Sequence, residues 1–122
     1  MSDWQFTVPF PPSVNSMWRC FRNRAILSKR GREYRKAALE ALSLQDLGDS
    51  PITGRLSVRM DLYAPTHRKH DVDNFTKAVY DALTHAQLWE DDEQVDVMHV
   101  YKHGKDINPR VEISINLLGE EQ

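Results

Sequence analysis

Asp71-Val72-Asp73-Asn74-Phe75-Thr76-Lys77-Ala78-Val79-Tyr80-Asp81-Ala82-Leu83, followed after five residues by Trp89-Glu90-Asp91-Asp92-Glu93-Gln94-Val95, is the stretch on which the reading of this chain turns. Phe75, Ala78, Val79, Ala82, Leu83 and Ala86 recur at helical spacing and predict a helix that begins near Asp71 to Asn74. Four consecutive acids then form a turn, and residues 95–102 read as a strand. A helix-turn-strand return of this kind brings Glu90 to Glu93 back beside Asp71 and Asp73. From Asp71 to Asp96 there are eight carboxylates and one cation, Lys77. Like charges at this density repel unless a counter-ion sits among them.

Working outward, Trp4, Phe6, Val8 and Phe10 alternate with polar residues and prolines, which is strand periodicity. Pro9, Pro11 and Pro12 end that strand and open a loop, expected to be irregular, that runs to about Leu27. Ser28 is a fitting N-cap for a first helix. Its apolar stripe is Tyr34, Ala37, Ala38, Ala41 and Leu42, with Arg32, Arg35 and Lys36 off that face. Gly48-Asp49-Ser50-Pro51 breaks the helix. Leu56, Val58, Met60 and Leu62 alternate in a second strand that Pro65 closes. Val111, Ile113, Ile115 and Leu117 mark the last strand, and His103 to Asp106 is expected to turn the two final strands into a hairpin. The predicted class is α+β: a small mixed β-sheet with two main helices packed on it, in the order β-α-β-α-β-β.

At 122 residues the chain is expected to be one domain, 1–122. The net charge of −2 hides a segregation. Residues 19–36 hold eight arginines and lysines against Glu33 alone, the mirror of the acidic stretch. A nearly neutral protein can therefore present a strong local field to a polyanion. Cys20 is the only cysteine, which excludes an intramolecular disulfide and fits a reducing cytoplasm. No basic-then-apolar leader opens the sequence, and no apolar run is long enough to span a membrane. The expectation is a cytoplasmic protein without a membrane partner.

If the chain is extended at Asp71-Val72-Asp73, both carboxylates point to one side. Joined by one or two acids from the 90–93 turn, they form the all-oxygen ligand set that Mg²⁺ prefers, with Mn²⁺ as a possible substitute. At least two of Glu90, Asp91, Asp92 and Glu93 must be bystanders, because their side chains diverge. A simpler reading makes Asp71 or Asp73 a helix cap, and Lys77 an i, i+4 ion-pair partner of Asp73 and Asp81. His67 and His70 with the adjacent aspartates offer a His/carboxylate site for Zn²⁺ or Mn²⁺ as a lesser alternative. In the basic segment, Arg19, Arg22 and Arg24 are interleaved with Trp18 and Phe21. Arginines that track phosphates beside aromatics that stack on unpaired bases are a nucleic-acid footprint.

These residues carry a resemblance. The D-x-D-N-x-x-K-x-x-x-D-A-L pattern over Asp71 to Leu83, and W-x-D-D-x-Q-V over Trp89 to Val95, resemble the core motif of RusA-type Holliday-junction resolvases. Pro11-Pro12-Ser13-Val14-Asn15 resembles the family's P-P-S-x-N, and Ser28, Gly31, Tyr34 and Arg35 resemble its S-x-x-G-x-x-Y-R. The resemblance spans nearly the whole chain. It implies a homodimeric, Mg²⁺-dependent, structure-specific endonuclease acting on four-way junction DNA in recombination and repair. It places the family's catalytic, metal-binding carboxylates on Asp71, Asp73 and Asp92, and its essential lysine on Lys77. Asp81 is expected to support Lys77. One departure is His70, where the family often has arginine before the first aspartate; Arg68 and Lys69 lie just upstream.

The expected DNA contacts are Asn15, Arg19, Arg22, Arg24, Arg35, Arg68 and Lys69. The junction's two-fold symmetry and its need for two matched cuts call independently for a C2 dimer. The alternatives are a nuclease for other branched DNA and a junction-binding module that has lost cleavage.

Overall fold

The computed structural model describes residues 2–67 and 73–119, the side chains of Val14 and Asp73 aside. Strand β1 spans Trp4–Pro9, followed by a one-turn helix α1 (Val14–Met17) and two short strands, β2 (Trp18–Phe21) and β3 (Arg24–Leu27). Helix α2 (Lys29–Ser43), strand β4 (Leu56–Ala64) and helix α3 (Asp73–His85) come next. A 3-10 turn over Asp92–Gln94 leads into β5 (Val95–Lys105), and β6 (Arg110–Leu117) closes the chain. The α+β class and the mixed sheet stand. The predicted six-element order lacks α1 and the β2–β3 hairpin.

Four strands form one sheet in the order β1-β6-β4-β5. β6 pairs antiparallel with both β1 and β4, while β5 runs parallel to β4. The expected β5–β6 hairpin is therefore wrong, because β4 lies between the two strands. The burial pattern gives the reason. Val111, Ile113 and Ile115 of β6 are almost fully buried and need a strand on either side. β5 has only two partly buried positions and accepts the edge. It also continues to Lys105, past the turn expected at His103.

The main core lies between sheet and helices, and a second buried cluster, Met17, Tyr34, Ala38, Ala78 and Ala82, lies where α1, α2 and α3 meet. Leu56, Val58, Met60 and Leu62 of β4 meet Phe6 and Val8 of β1, Val79 and Leu83 of α3, and the fully enclosed Trp89. Both alternating strands and both helical stripes thus bury the faces that their periodicity predicts. The opposite face of the sheet is polar. There Arg59 donates to Asp61 at 3.0 and 3.1 Å, and His103 contacts Asp61 at 2.7 Å.

The expected irregular loop is a β-ribbon. Arg22 and Asn23 at its tip both have positive φ, 51° and 62°, as a two-residue hairpin turn of the I′ kind requires. The ribbon is anchored at its base. The Ser28 backbone N–H donates to the Met17 carbonyl at 2.7 Å, and the Ser28 hydroxyl accepts from Gly31 N–H at 3.0 Å as the cap of α2. Gly31 is needed for close approach. A Cβ there would lie 2.5 Å from the Met17 carbonyl oxygen and 2.8 Å from the Leu27 side chain. Tyr34 donates to the Pro9 carbonyl at 2.8 Å, so the same helix face fixes the end of β1.

Candidate active site

Two elements build the site, helix α3 and the acidic turn that precedes β5, and the turn packs against Tyr80, Asp81 and Thr84 in the second half of the helix. The turn is held from below. Trp89 is buried, and its indole N–H donates to the Thr84 hydroxyl at 2.7 Å. Gln94 is also buried, and its amide makes four hydrogen bonds. The amide NH₂ donates to the carbonyls of Ile52 and Gly54, both at 3.0 Å, and the amide oxygen accepts from Glu90 and Asp91 N–H at 2.8 and 2.9 Å. Buried amides fully satisfied in this way fix a loop to one conformation. The tryptophan and glutamine of the W-x-D-D-x-Q-V pattern are thus the anchors that present its acids.

The four acids of the turn then separate in role. Asp91 caps the 3-10 turn, accepting from Glu93 N–H at 3.3 Å. Glu93 and Asp96 are both taken by Arg55, which donates to the Glu93 carboxylate at 3.1 Å and to Asp96 at 3.0 Å through Nε. Sequence reading missed Arg55. Among the described residues, Asp92 has neither a backbone N–H cap nor an arginine partner, and its side chain meets that of Asp91. Partial burial first, then Asp91 and Asp81, hold its carboxyl above the usual aspartate value. This is the behaviour of uncompensated negative charge.

Tyr80, also missed from sequence, lies under this cluster. Its ring packs edge-on against Trp89 with centroids 5.5 Å apart. Burial, and secondarily the Asp92 charge, push its hydroxyl up to about 12. That hydroxyl is shielded from solvent and has no hydrogen-bond partner among the described residues. Tyr80 falls one residue off the apolar stripe that marked α3, so periodicity gave no signal for it.

Asp81 corrects an expectation. Its carboxylate is held by Arg35 of α2 in a two-pronged pair, Nε to Oδ2 at 2.9 Å and Nη2 to Oδ1 at 3.0 Å, and not by Lys77. The Arg35 guanidinium also lies over the Trp18 ring, 5.8 Å from its centroid. Arg35, expected among the DNA contacts, therefore bridges the base of the ribbon and α3. Lys77 is exposed on α3, one turn after Asp73. Asp71, Arg68, Lys69 and His70 lie outside the described residues, as does the Asp73 side chain. Among the described residues, no three acids or histidines converge closely enough to hold a metal ion. The described share of the expected ligand set, Asp92 with Asp91 beside it, fits Mg²⁺ in chemistry: hard oxygens carrying unneutralised charge.

The basic residues of the ribbon face outward. Arg19, Arg22 and Arg24 are exposed, as are Trp18 at 37% and Phe21 at 51%. Arg22 lies over the Phe21 ring at 5.2 Å, so the tip presents a joined cation and aromatic surface. Asn15 on α1 is exposed next to the ribbon.

Comparison with known proteins accords with this arrangement. Residues 9–116 match the family described as Endodeoxyribonuclease RusA. The chain is 35% identical over 118 residues to the crossover junction endodeoxyribonuclease rusA of Enterobacteria phage HK97, covering 97% of this chain and 98% of that one. It is 34% identical to the enzyme of that name from Enterobacteria phage 82, and 33% identical to that of Escherichia coli strain K12. Each of these two alignments covers 99% of this chain and all of the relative. A family match over most of the chain, with end-to-end similarity to such relatives, makes this protein a member of the RusA endodeoxyribonuclease family of enzymes.

Proposed function

We propose that this protein is a Mg²⁺-dependent, structure-specific endonuclease that resolves Holliday junctions by paired, symmetric nicks in DNA recombination and repair. The observation that carries the reading is the state of Asp92. It is presented on a turn fixed by Trp89 and Gln94, partial burial and then its neighbours Asp91 and Asp81 raise its pKa, and Arg55 takes Glu93 and Asp96 rather than Asp92 itself. Family membership and the curated relatives' names supply the substrate class.

In this reading Asp71, Asp73 and Asp92 are the carboxylates that hold the cation, with Mn²⁺ an acceptable substitute. When bound, Mg²⁺ would polarise the scissile phosphate and lower the pKa of a bound water. Attack of water on phosphorus in line with the leaving 3′ oxygen gives a 5′-phosphate and a 3′-hydroxyl, ends that a ligase can rejoin. Lys77, one helical turn from Asp73, is placed to stabilise the charge that develops on the phosphate oxygens. Asn15, Arg19, Arg22 and Arg24 bind the backbone near the junction, with Phe21 and Trp18 available to unpaired bases. Arg68 and Lys69, just upstream of the D-x-D in the sequence, are further candidate DNA contacts. Arg35 acts through its pair with Asp81 and not by free contact with DNA. Two sites at a fixed separation need a homodimer. An exposed, free Cys20 accords with a reducing setting such as the cytoplasm.

The test separates binding from cutting. Asp73→Asn should bind a four-way junction as the parent does and fail to nick it in Mg²⁺. Undiminished nicking by that variant would remove Asp73 from the site.

A further inference from the structure

The family pattern D-x-D-N-x-x-K-x-x-x-D-A-L leaves position 80 open, and this chain puts a tyrosine there. Positions 73, 77 and 80 follow i, i+4 and i+7 along α3, so Tyr80 stands on the side of the helix that bears Asp73 and Lys77. Its ring is seated edge-on against Trp89, the anchor of the acidic turn. Its hydroxyl is enclosed, yet it bonds to nothing among the described residues. Buried hydroxyls are normally hydrogen-bonded, and one left open calls for an explanation. Neighbouring polar groups of the helix and turn are already engaged. The Thr84 hydroxyl accepts from the Trp89 indole at 2.7 Å, Asp81 is held by Arg35, and the Gln94 amide is fully used within the turn. Asp91 caps the 3-10 turn. Among the described residues, Asp92 is the acceptor left without a cap or an arginine, and its charge helps to hold the proton on the Tyr80 hydroxyl.

We propose that Tyr80 is a positioning residue for the metal site: its hydroxyl donates to the Asp92 carboxylate when that carboxylate holds the divalent cation. The proposal rests on the reading of Asp92 as a metal ligand given above, and it adds the group that orients the ligand. A carboxylate has two oxygens and about four lone-pair sites, so one oxygen can face a cation while the other accepts from a phenol. Without a cation, the Asp92 side chain meets that of Asp91 instead, and the phenol stands idle. Tyrosine suits the task. Its hydroxyl, pushed up to about 12, is a donor throughout the neutral range and never a competing anion. The oxygen is shielded, so it touches neither substrate nor bulk water and acts through Asp92. Carboxylates that bind metals are themselves hydrogen-bonded, and losing such a partner weakens metal affinity.

The experiment reads Mg²⁺ binding without DNA. Tyr80→Phe keeps the ring against Trp89 and removes the hydroxyl alone. Free of metal, the variant should melt at or above the parent, because the deleted group had no partner to lose. Its apparent Mg²⁺ Kd, from melting titrations, should rise about 10–100-fold. Tyr101→Phe, at an exposed tyrosine beneath Arg59 on the polar face of the sheet, should bind Mg²⁺ as the parent does. In protein carrying ¹³C at tyrosine Cζ, the signal missing from Tyr80→Phe should shift when Mg²⁺ is added to the parent and stay in place in Asp92→Ala. A variant that melts lower without metal, a parent whose melting ignores Mg²⁺, an unchanged Mg²⁺ Kd in Tyr80→Phe, or a Cζ shift that persists without Asp92 would each overturn the proposal. Mg²⁺ binding that depends on Tyr80 in a protein that leaves junctions uncut would instead overturn the cleavage reading and spare this one.

Discussion

Arg35 grips Asp81 across the α2–α3 interface with two hydrogen bonds, at 2.9 and 3.0 Å, while its guanidinium rests over Trp18 at the base of the ribbon. One side chain thus ties the basic ribbon to the helix that carries the acidic site. It also neutralises the carboxylate that would otherwise stand open beside Asp92.

Arg35→Ala should therefore do two things. Loss of a partly buried, two-pronged charged pair should cost about 1–2 kcal/mol in chemical denaturation. An unpaired Asp81 should also lift the Asp92 carboxyl further, which carbon-detected NMR titration would read. A titration of Asp92 that does not move would show that Asp81 and Asp92 are electrostatically separate.

Asp92 itself gives a pH prediction. Its folded pKa is raised, so the fold binds its proton more tightly than the unfolded chain does. The ionised group then costs stability above that raised value, and the cost vanishes as pH falls below the ordinary 3.8. Asp92→Asn should melt higher than the parent at neutral pH, and the gap should close in acid. Added Mg²⁺ should raise the melting point of the parent more than that of the variant. A variant that melts lower at neutral pH would contradict the reading of Asp92 as uncompensated charge.

The ribbon predicts a salt effect. Arg22→Ala with Arg24→Ala should weaken junction binding and make the log affinity against log salt plot shallower by roughly 1–2, about 0.9 per lost phosphate contact. Melting temperature should hold, since both side chains are exposed. An unchanged slope would take the ribbon out of the DNA interface.

Gly31→Ala tests the anchor of that ribbon. The added methyl would meet the Met17 carbonyl at 2.5 Å, a contact that cannot persist. Overpacking of this kind should lower stability by about 1–3 kcal/mol, although alanine is the better helix former by about 1 kcal/mol. A neutral or stabilising outcome would mean that α1 is free to slide along α2.

Periodicity made much of the fold legible, because each long element buries one face. The Leu56–Leu62 and Val111–Leu117 alternations and the α2 and α3 stripes all emerge as predicted elements. The ribbon did not show. Residues 18–27 lack clean alternation, and its turn uses Arg22 and Asn23 at positive φ in place of a glycine. Strand order was equally hidden, since alternation says which face of β6 is buried but not which strand lies beside it. At the site, the acids were visible as charge, and similarity of motif singled out Asp92. The partners that sort them were not visible. Arg55 and Arg35 reach their carboxylates from 38 to 46 residues away, and Tyr80 is one step off its helical stripe.

The most direct measurement is strand-resolved cleavage of an end-labelled four-way junction in Mg²⁺, with linear duplex, flap and fork of matched sequence alongside. The account predicts symmetric nicks in two opposed strands of the junction, with products that DNA ligase seals. Junction binding without cleavage in either Mg²⁺ or Mn²⁺ would contradict it.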